Sequence, residues 1–292
     1  YVDRMGRLWV GIHDFGLALY EPANDDFIHF PYEEIGLRSS EILDIYQDSE
    51  MNIWVGTQGG VDIYDSDLEK IKSIPVDEEN LNKYATSSAA IFKIYEDERG
   101  IIWLGCYNGL NRYDKRTGLI EHYFPNGNPK AVSNENWIKS IISGWNNDLW
   151  LAGQGGFMIF NKNRGTFRDG FEMLGSEFKG NSRGLNDILI DNDGKIWYAG
   201  WEGAAVYSPE ERKFNYLREN RNLPFSYPQG STIKLFLDNI GSVWLGTWNR
   251  GVCYHNKEIK KFGLLSRKYD PDGLSGDIVR CVITDERNIL WL

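Results

Sequence analysis

The chain has 292 residues, 42 acidic and 32 basic, for a net charge of -10. With no Lys/Arg cluster able to neutralise phosphates, this balance argues against a nucleic-acid partner. No apolar stretch approaches the roughly 20 residues of a membrane span, and Cys106, Cys253 and Cys281 are too few and too irregularly placed for a disulfide framework.

In chain order the dominant pattern is a tryptophan that returns at Trp9, Trp54, Trp103, Trp150, Trp197, Trp244 and Trp291, with gaps of 45, 49, 47, 47, 47 and 47 residues. A period of that length marks a repeated supersecondary unit. Six residues ahead of each tryptophan stand Asp3, Asp48, Asp97, Gly144, Asp191, Asp238 and Asp285. Three ahead stand Gly6, Met51, Gly100, Asn147, Gly194, Gly241 and Asn288. These are turn positions, where an Asp carboxylate accepts from nearby backbone N–H groups and Gly or Asn tolerates positive φ. Two residues after the tryptophan come Gly11, Gly56, Gly105, Ala152, Ala199 and Gly246, and an aromatic (Tyr20, Tyr64, Tyr113, Phe160, Tyr207, Tyr254) closes the unit.

One repeat, residues 42–74, reads as four short runs: Ile42 to Tyr46, Ile53 to Thr57, Val61 to Tyr64 and Ile71 to Ile74. Each is short, β-branched or aromatic, and bounded by Gly, Asp, Asn or Ser, which suits strands joined by tight turns and not a helix. Repeated four-stranded antiparallel sheets arranged radially make a β-propeller, so the expected fold is all-β. The tryptophan is expected to pack between neighbouring sheets. A tryptophan at both Trp9 and Trp291 implies a seven-bladed ring with incomplete first and last repeats. Residues 1–292 are then one propeller domain and a fragment of a longer chain.

The string Asp-x-x-Gly-x-(Ile/Val)-Trp-x-Gly-(Thr/Cys)-x-x-Gly resembles the two-component regulator propeller repeat. It is plainest from Asp97 to Gly105, from Asp238 to Thr247, and in Trp54-Val55-Gly56-Thr57 with Gly60 and Tyr64-Asp65. The repeats depart from it at Gly144, Ala152 and Ala199, which predicts local reshaping of two adjacent units. The resemblance implies a sensor: the periplasmic part of a hybrid two-component histidine kinase of the Bacteroidetes type, recognising an oligosaccharide. It also implies partners in the parent chain, namely a second propeller and an immunoglobulin-like module, with an inner-membrane anchor and room for a homodimer. Any kinase activity would lie outside this segment.

Candidate ligand residues come from the turn between the second and third strands, which opens four residues after each tryptophan. Its first column reads His13, Gln58, Tyr107, Gln154, Trp201 and Trp248, and its second Asp14, Gly59, Asn108, Gly155, Glu202 and Asn249, followed by Arg250. Aromatics beside amides and charges suit a sugar, whose C–H face stacks on a ring while its hydroxyls need donors and acceptors. Connections between units add Trp137 with Asn136, Arg183, and Tyr227 within the segment 224–228. Ordinary turn and packing roles account for the same residues without a ligand. First-strand charges recur at Asp44, Lys93, Ser140, Asp187, Lys234 and Arg280, in a mixture that suits mutual pairing. No metal-ligand spacing, cofactor motif or acid/base pair emerges. The alternatives are a propeller glycosidase or lyase, for which only His13 of the four histidines falls in a face turn, and a purely structural or protein-docking propeller.

Overall fold

The computed structural model describes residues 1–77, 82–128, 133–174, 184–217, 227, 230–256, 261–267, 274–285, 287 and 289–292. Its strands follow the tryptophan period. The first sheet holds β1 (Trp9–Ile12), β2 (Gly16–Glu21) and β3 (Asp26–Pro31), hydrogen-bonded in chain order. Five four-stranded sheets follow, also in chain order. The second is β4 (Ile42–Gln47), β5 (Ile53–Thr57), β6 (Gly60–Tyr64) and β7 (Lys70–Ile74); the third is β8 (Ile91–Glu96), β9 (Ile102–Cys106), β10 (Gly109–Tyr113) and β11 (Ile120–Tyr123). The fourth is β12 (Ile138–Ser143), β13 (Leu149–Gly153), β14 (Gly156–Asn161) and β15 (Thr166–Asp169), after which comes one helical turn, α1 (Gly170–Met173). The fifth is β16 (Leu185–Ile190), β17 (Ile196–Gly200), β18 (Gly203–Ser208) and β19 (Lys213–Leu217); the sixth is β20 (Thr232–Leu237), β21 (Val243–Thr247), β22 (Val252–Asn256) and β23 (Lys261–Leu265).

These are four-stranded antiparallel blades of a β-propeller. The count differs from the sequence expectation: the described residues form six blades, the first of three strands, and not seven. Around Trp291 only β24 (Ile283–Thr284) and β25 (Leu290–Trp291) pair, two residues on each side. The Asp285 turn that signalled a seventh repeat does form, with Asp285 accepting from the Trp291 indole at 3.2 Å. A turn and its tryptophan recur more readily than the four paired strands that make a blade.

The chain divides into two compact units, residues 1–149 with 160–167 and residues 150–159 with 168–292. In the first, Trp9 clusters with Ile45, Ile53, Val55 and Tyr64 of the next blade, and Trp54 with Ile91, Ile94 and Tyr113 of the blade after. The Trp54 and Tyr113 rings meet edge-on at 5.4 Å, as do Trp103 and Phe160, a favoured aromatic geometry. In the second unit Trp197 joins Leu235, Val243, Leu245 and Cys253. The second strand of a blade therefore buries both faces, so β5, β9 and β17 are buried at every residue while the outer strand β7 is largely exposed.

Two oxygens of each repeat Asp do different work. At Asp97, Oδ1 accepts from the Arg99 and Ile101 amides at 3.0 and 3.2 Å, closing the turn, and Oδ2 accepts from the Trp103 indole at 2.9 Å. The indole bond recurs at Asp3, Asp48, Asp191 and Asp238, at 2.9, 2.9, 2.8 and 2.7 Å. Sequence reading found the backbone role and missed the indole one. Where Gly144 replaces the Asp, the turn is reshaped: a 3-10 turn spans Trp145–Asn147, with Asn146 and Asn147 at φ 57 and 62; the adjacent Trp197 repeat, expected to be reshaped as well, keeps the Asp191 turn and its indole bond. The small residue after the tryptophan lets the next blade approach. A Cβ added to Gly105 would lie 2.7 Å from the Ile138 carbonyl oxygen.

Candidate functional site

The turns proposed to face a ligand are held at one end of their blades by a repeated backbone bond. The amides of Gln58, Tyr107, Trp201 and Trp248 donate to the carbonyls of Glu41, Ala90, Gly184 and Ser231 at 3.0, 3.0, 3.2 and 3.0 Å. Each acceptor stands just before the first strand of the same blade. With the amide spent on the scaffold, the side chain at this position is left to the surface. The first strands themselves pair charge with charge: Lys93 reaches Asp44 at 2.9 Å and Lys234 reaches Asp187 at 3.0 Å. Each of these residues follows a register shift in its strand, a bulge that re-aims the side chain.

In the first unit, Tyr107 packs against Trp137 with ring centroids 4.4 Å apart and the planes tilted by 39°. Phe92 lies 6.2 Å from the Trp137 ring and the Lys139 ammonium 5.8 Å from it. Burial pushes the Lys139 pKa down. Tyr107 and Trp137 are both half-buried, so each presents part of a ring to water. Asn108 does not: its side chain is buried and its oxygen accepts from Asn136 Nδ2 at 2.8 Å. Its carbonyl accepts from Ser87 Oγ at 2.7 Å, so Asn108 ties the turn to two connections. His13 is exposed, with Nδ1 3.0 Å from Asp14 and Nε2 3.4 Å from Glu41.

In the second unit Trp201 and Trp248 are 53% and 44% exposed. Their turns flank one connection, since Ser231 accepts from the Trp248 amide and its Oγ lies 3.4 Å from the Gly200 carbonyl. Glu202, Asn249 and Arg250 are exposed beside the two indoles. The Arg250 amide is held by Thr247 Oγ1 at 2.9 Å, leaving its guanidinium on the surface. Gly184, at φ 74, lies so close to Trp201 that an added Cβ would stand 2.6 Å from the indole, which fixes where that ring rests.

Tyr227 requires a correction. Named on the sequence as a ligand-facing residue outside the repeat columns, it is only 2% exposed and packs in the core with Trp197, Leu235 and Cys253. Its hydroxyl bonds Thr232 Oγ1, and burial drives its pKa up. Its ring packs against the sixth blade, a structural task that lies outside the tryptophan period and so left no column to read. Arg183, residues 224–226 and Pro228 lie outside the described residues.

The other histidines serve elsewhere. His122 Nε2 meets the Ala85 carbonyl at 2.8 Å, and His255 packs 5.4 Å from the Trp197 ring. Burial, followed by the Lys195 charge, lowers the His255 pKa against an opposing pull from Asp191. Among the described residues, one group has metal-ligand proximity, His13 with Asp14 and Glu41, all at or near the surface. No helix among the described residues is long and apolar enough to cross a membrane.

Comparison places this geometry among known folds. No curated protein sequence matches the chain. The chain is similar over its whole length to a crystal structure described as the extracellular domain of hybrid two-component system BT3049 from B. thetaiotaomicron, at 19% identity and a TM-score of 0.79. It spans 37% of that protein. PorZ, a surface component of the type-IX secretion system of Porphyromonas gingivalis, matches 97% of the chain with 43% of its own length, at 16% identity and a TM-score of 0.69. A catalytically inactive virginiamycin B lyase from Staphylococcus aureus, solved with quinupristin, matches 90% of the chain with 82% of its own, at 13% identity and a TM-score of 0.65. Likeness at such identities establishes the fold. The family model for the two component regulator propeller matches residues 36–59 and 87–108, two segments that each carry the Asp, Trp and Gly columns, so these segments are similar to that family's repeat.

Proposed function

We propose that this propeller is the ligand-sensing extracytoplasmic part of a hybrid two-component regulator and that its ligand is an oligosaccharide. The observation that carries the reading is the exposure of Trp201 and Trp248 at the same position of consecutive blades. Large indoles left in water at a scaffolded turn are costly unless something covers them. Glu202, Asn249 and Arg250 stand beside them as donors and acceptors for hydroxyl groups. The Tyr107 and Trp137 pair is the corresponding aromatic surface of the first unit, with His13 a further polar contact. On this reading the chain is not an enzyme and needs no cofactor. Occupancy would be passed through a second propeller and an immunoglobulin-like module to a kinase elsewhere in the protein, with the propeller in the periplasm.

The rival is an enzyme, and the fold shared with the virginiamycin B lyase gives it substance. The two are separated by titrating the protein with an oligosaccharide panel by calorimetry while following product release by chromatography. Saturable binding without turnover supports the sensor. Sustained cleavage, or no binding to any member of the panel, refutes it.

A further inference from the structure

Two columns meet at the turns after the second strands, and their sizes vary in opposite senses. In the second to sixth blades the turn residue reads Gln58, Tyr107, Gln154, Trp201 and Trp248, and the residue just before the first strand of the same blade reads Glu41, Ala90, Trp137, Gly184 and Ser231. Where the turn carries a ring, the second position is small: Ala90, Gly184 or Ser231. Where it carries an amide, the second position is large: Glu41 or Trp137. In all but the fourth blade the turn amide donates to the carbonyl of its counterpart. The two residues there stand one step beyond the last ladder pair, Ile91 with Cys106 in the third blade and Leu185 with Gly200 in the fifth. Side chains directly opposite across such a pair are neighbours.

The fifth blade shows the physical reason for the match. Gly184 is held on both sides, its N–H donating to the Gln154 carbonyl at 3.1 Å and its carbonyl accepting from the Trp201 amide at 3.2 Å. A Cβ on Gly200 would lie 3.0 Å from that same Gly184 oxygen, so the backbone has little room to yield. A Cβ added to Gly184 would meet Trp201 Cδ1 at 2.6 Å and Nε1 at 3.4 Å. These are atoms of a rigid ring, so relief requires the whole indole to swing. The edge of the exposed Trp201 indole thus rests over the bare backbone of Gly184.

We propose that the residue before each first strand is a size gauge that decides which blades present a ring at this face, and that Gly184 is the positioning residue for the Trp201 ring in sugar binding. The second part rests on the sugar reading given above. A sugar stacks on a ring only where the ring face is correctly placed, so a side chain that swings the indole weakens binding without touching the sugar.

Gly184 also has φ 74, which alanine adopts only with strain, so Gly184→Ala combines strain with contact. Gly194 separates the two, since it shares φ 74 but has nothing within 4 Å of an added Cβ. Gly184→Asn, better suited to positive φ, repeats the test with less strain. The variants are made in the whole chain, alone and with Trp201→Gln, which gives this turn the side chain found at Gln58 and Gln154. Gly184→Ala should lower the melting temperature more than Gly194→Ala, and the excess should vanish with Trp201→Gln. In proton–nitrogen NMR spectra the Trp201 indole signal, identified by its loss in Trp201→Gln, should move in Gly184→Ala and Gly184→Asn and stay in place in Gly194→Ala. On an oligosaccharide array Gly184→Ala should bind ~10-fold more weakly than wild type, the scale of one aromatic contact, with Gly194→Ala unchanged. An unmoved indole signal, or an excess cost that persists without the indole, overturns the gauge. A moved signal with unchanged affinity overturns the role of Gly184 in binding. An array on which the wild type binds nothing overturns the sugar reading itself, while the indole signal still decides the gauge.

Discussion

Removing the Asp97 carboxylate tests what the repeat columns are for. Asp97→Ala deletes the acceptor of the Trp103 indole, which is 2% exposed, together with one of two partners of the Lys162 ammonium. A buried donor left without a partner costs ~1–3 kcal/mol. The Arg99 and Ile101 amides also lose Oδ1, but they lie near the surface and regain water. Lys162 keeps Glu98 at 3.0 Å, which limits the charge penalty, so the expected total is ~3–5 kcal/mol. Asp238→Ala is the matched control. Its carboxylate makes the same turn and indole bonds, but Trp244 is only half-buried and the described residues place no cation on Asp238, so ~1–2 kcal/mol is expected. Urea unfolding followed by tryptophan fluorescence and circular dichroism gives both values, and Lys162→Met in each background isolates the lysine share. An Asp97→Ala cost no larger than that of Asp238→Ala would refute the assignment of the carboxylate as a desolvated tie between indole and lysine.

Trp201→Ala and Trp248→Ala should leave the melting temperature unchanged while weakening oligosaccharide binding by ~1–3 kcal/mol each; unchanged affinity in both, measured by calorimetry, moves the ligand off these turns. Tyr227→Ala should instead destabilise the fold by ~3–5 kcal/mol, the scale of emptying a buried aromatic site, as read by urea unfolding. Gly105→Ala should cost ~1–3 kcal/mol, because its Cβ meets a backbone carbonyl and not a flexible side-chain end; a neutral result would mean that the adjoining blades slide freely. Burial alone would raise the Asp3 pKa, but bonds from the Trp9 indole and from Arg7, with the Arg7 charge, bring it below the usual carboxylate value. Its stabilising contribution is therefore full above pH ~4 and is lost as pH falls through the folded pKa. Asp3→Asn should flatten the acid limb of the stability profile, and an unchanged limb would refute this.

Much of the fold was legible because each column answers a local demand repeated in every blade. The strands at Ile42–Gln47, Ile53–Thr57, Gly60–Tyr64 and Lys70–Ile74 fall within a residue of the runs read from the sequence, since Gly and Asp punctuation fixes where a short strand must stop. The blade count was less legible, because Asp285 and Trp291 satisfy the turn and indole demands without four paired strands around them. Tyr227 and Asn108 misled for a related reason. Each holds a connection to a blade, through Thr232 and Asn136 respectively, and such ties recur in no other blade's column, so they carry no period to read.

The same contrast separates scaffold from site. A residue required by every blade, such as the Asp that holds the indole, cannot by itself distinguish one blade from another. Distinction enters where a column breaks while its neighbours hold: Trp201 and Trp248 where the second blade has Gln58, and Asn256 where the third and fourth have lysines. At the first break the backbone bond to the carbonyl before the first strand is kept while the side chain changes from an exposed amide to an exposed indole. At the second the Asp191 turn and its indole bond are kept while Asn256 stands where the third and fourth blades have lysine. In both places the strands form as those of the neighbouring blades do, so the turn does not depend on which side chain stands there. The first break, after β17, is where binding by the fifth and sixth blades is to be tested first.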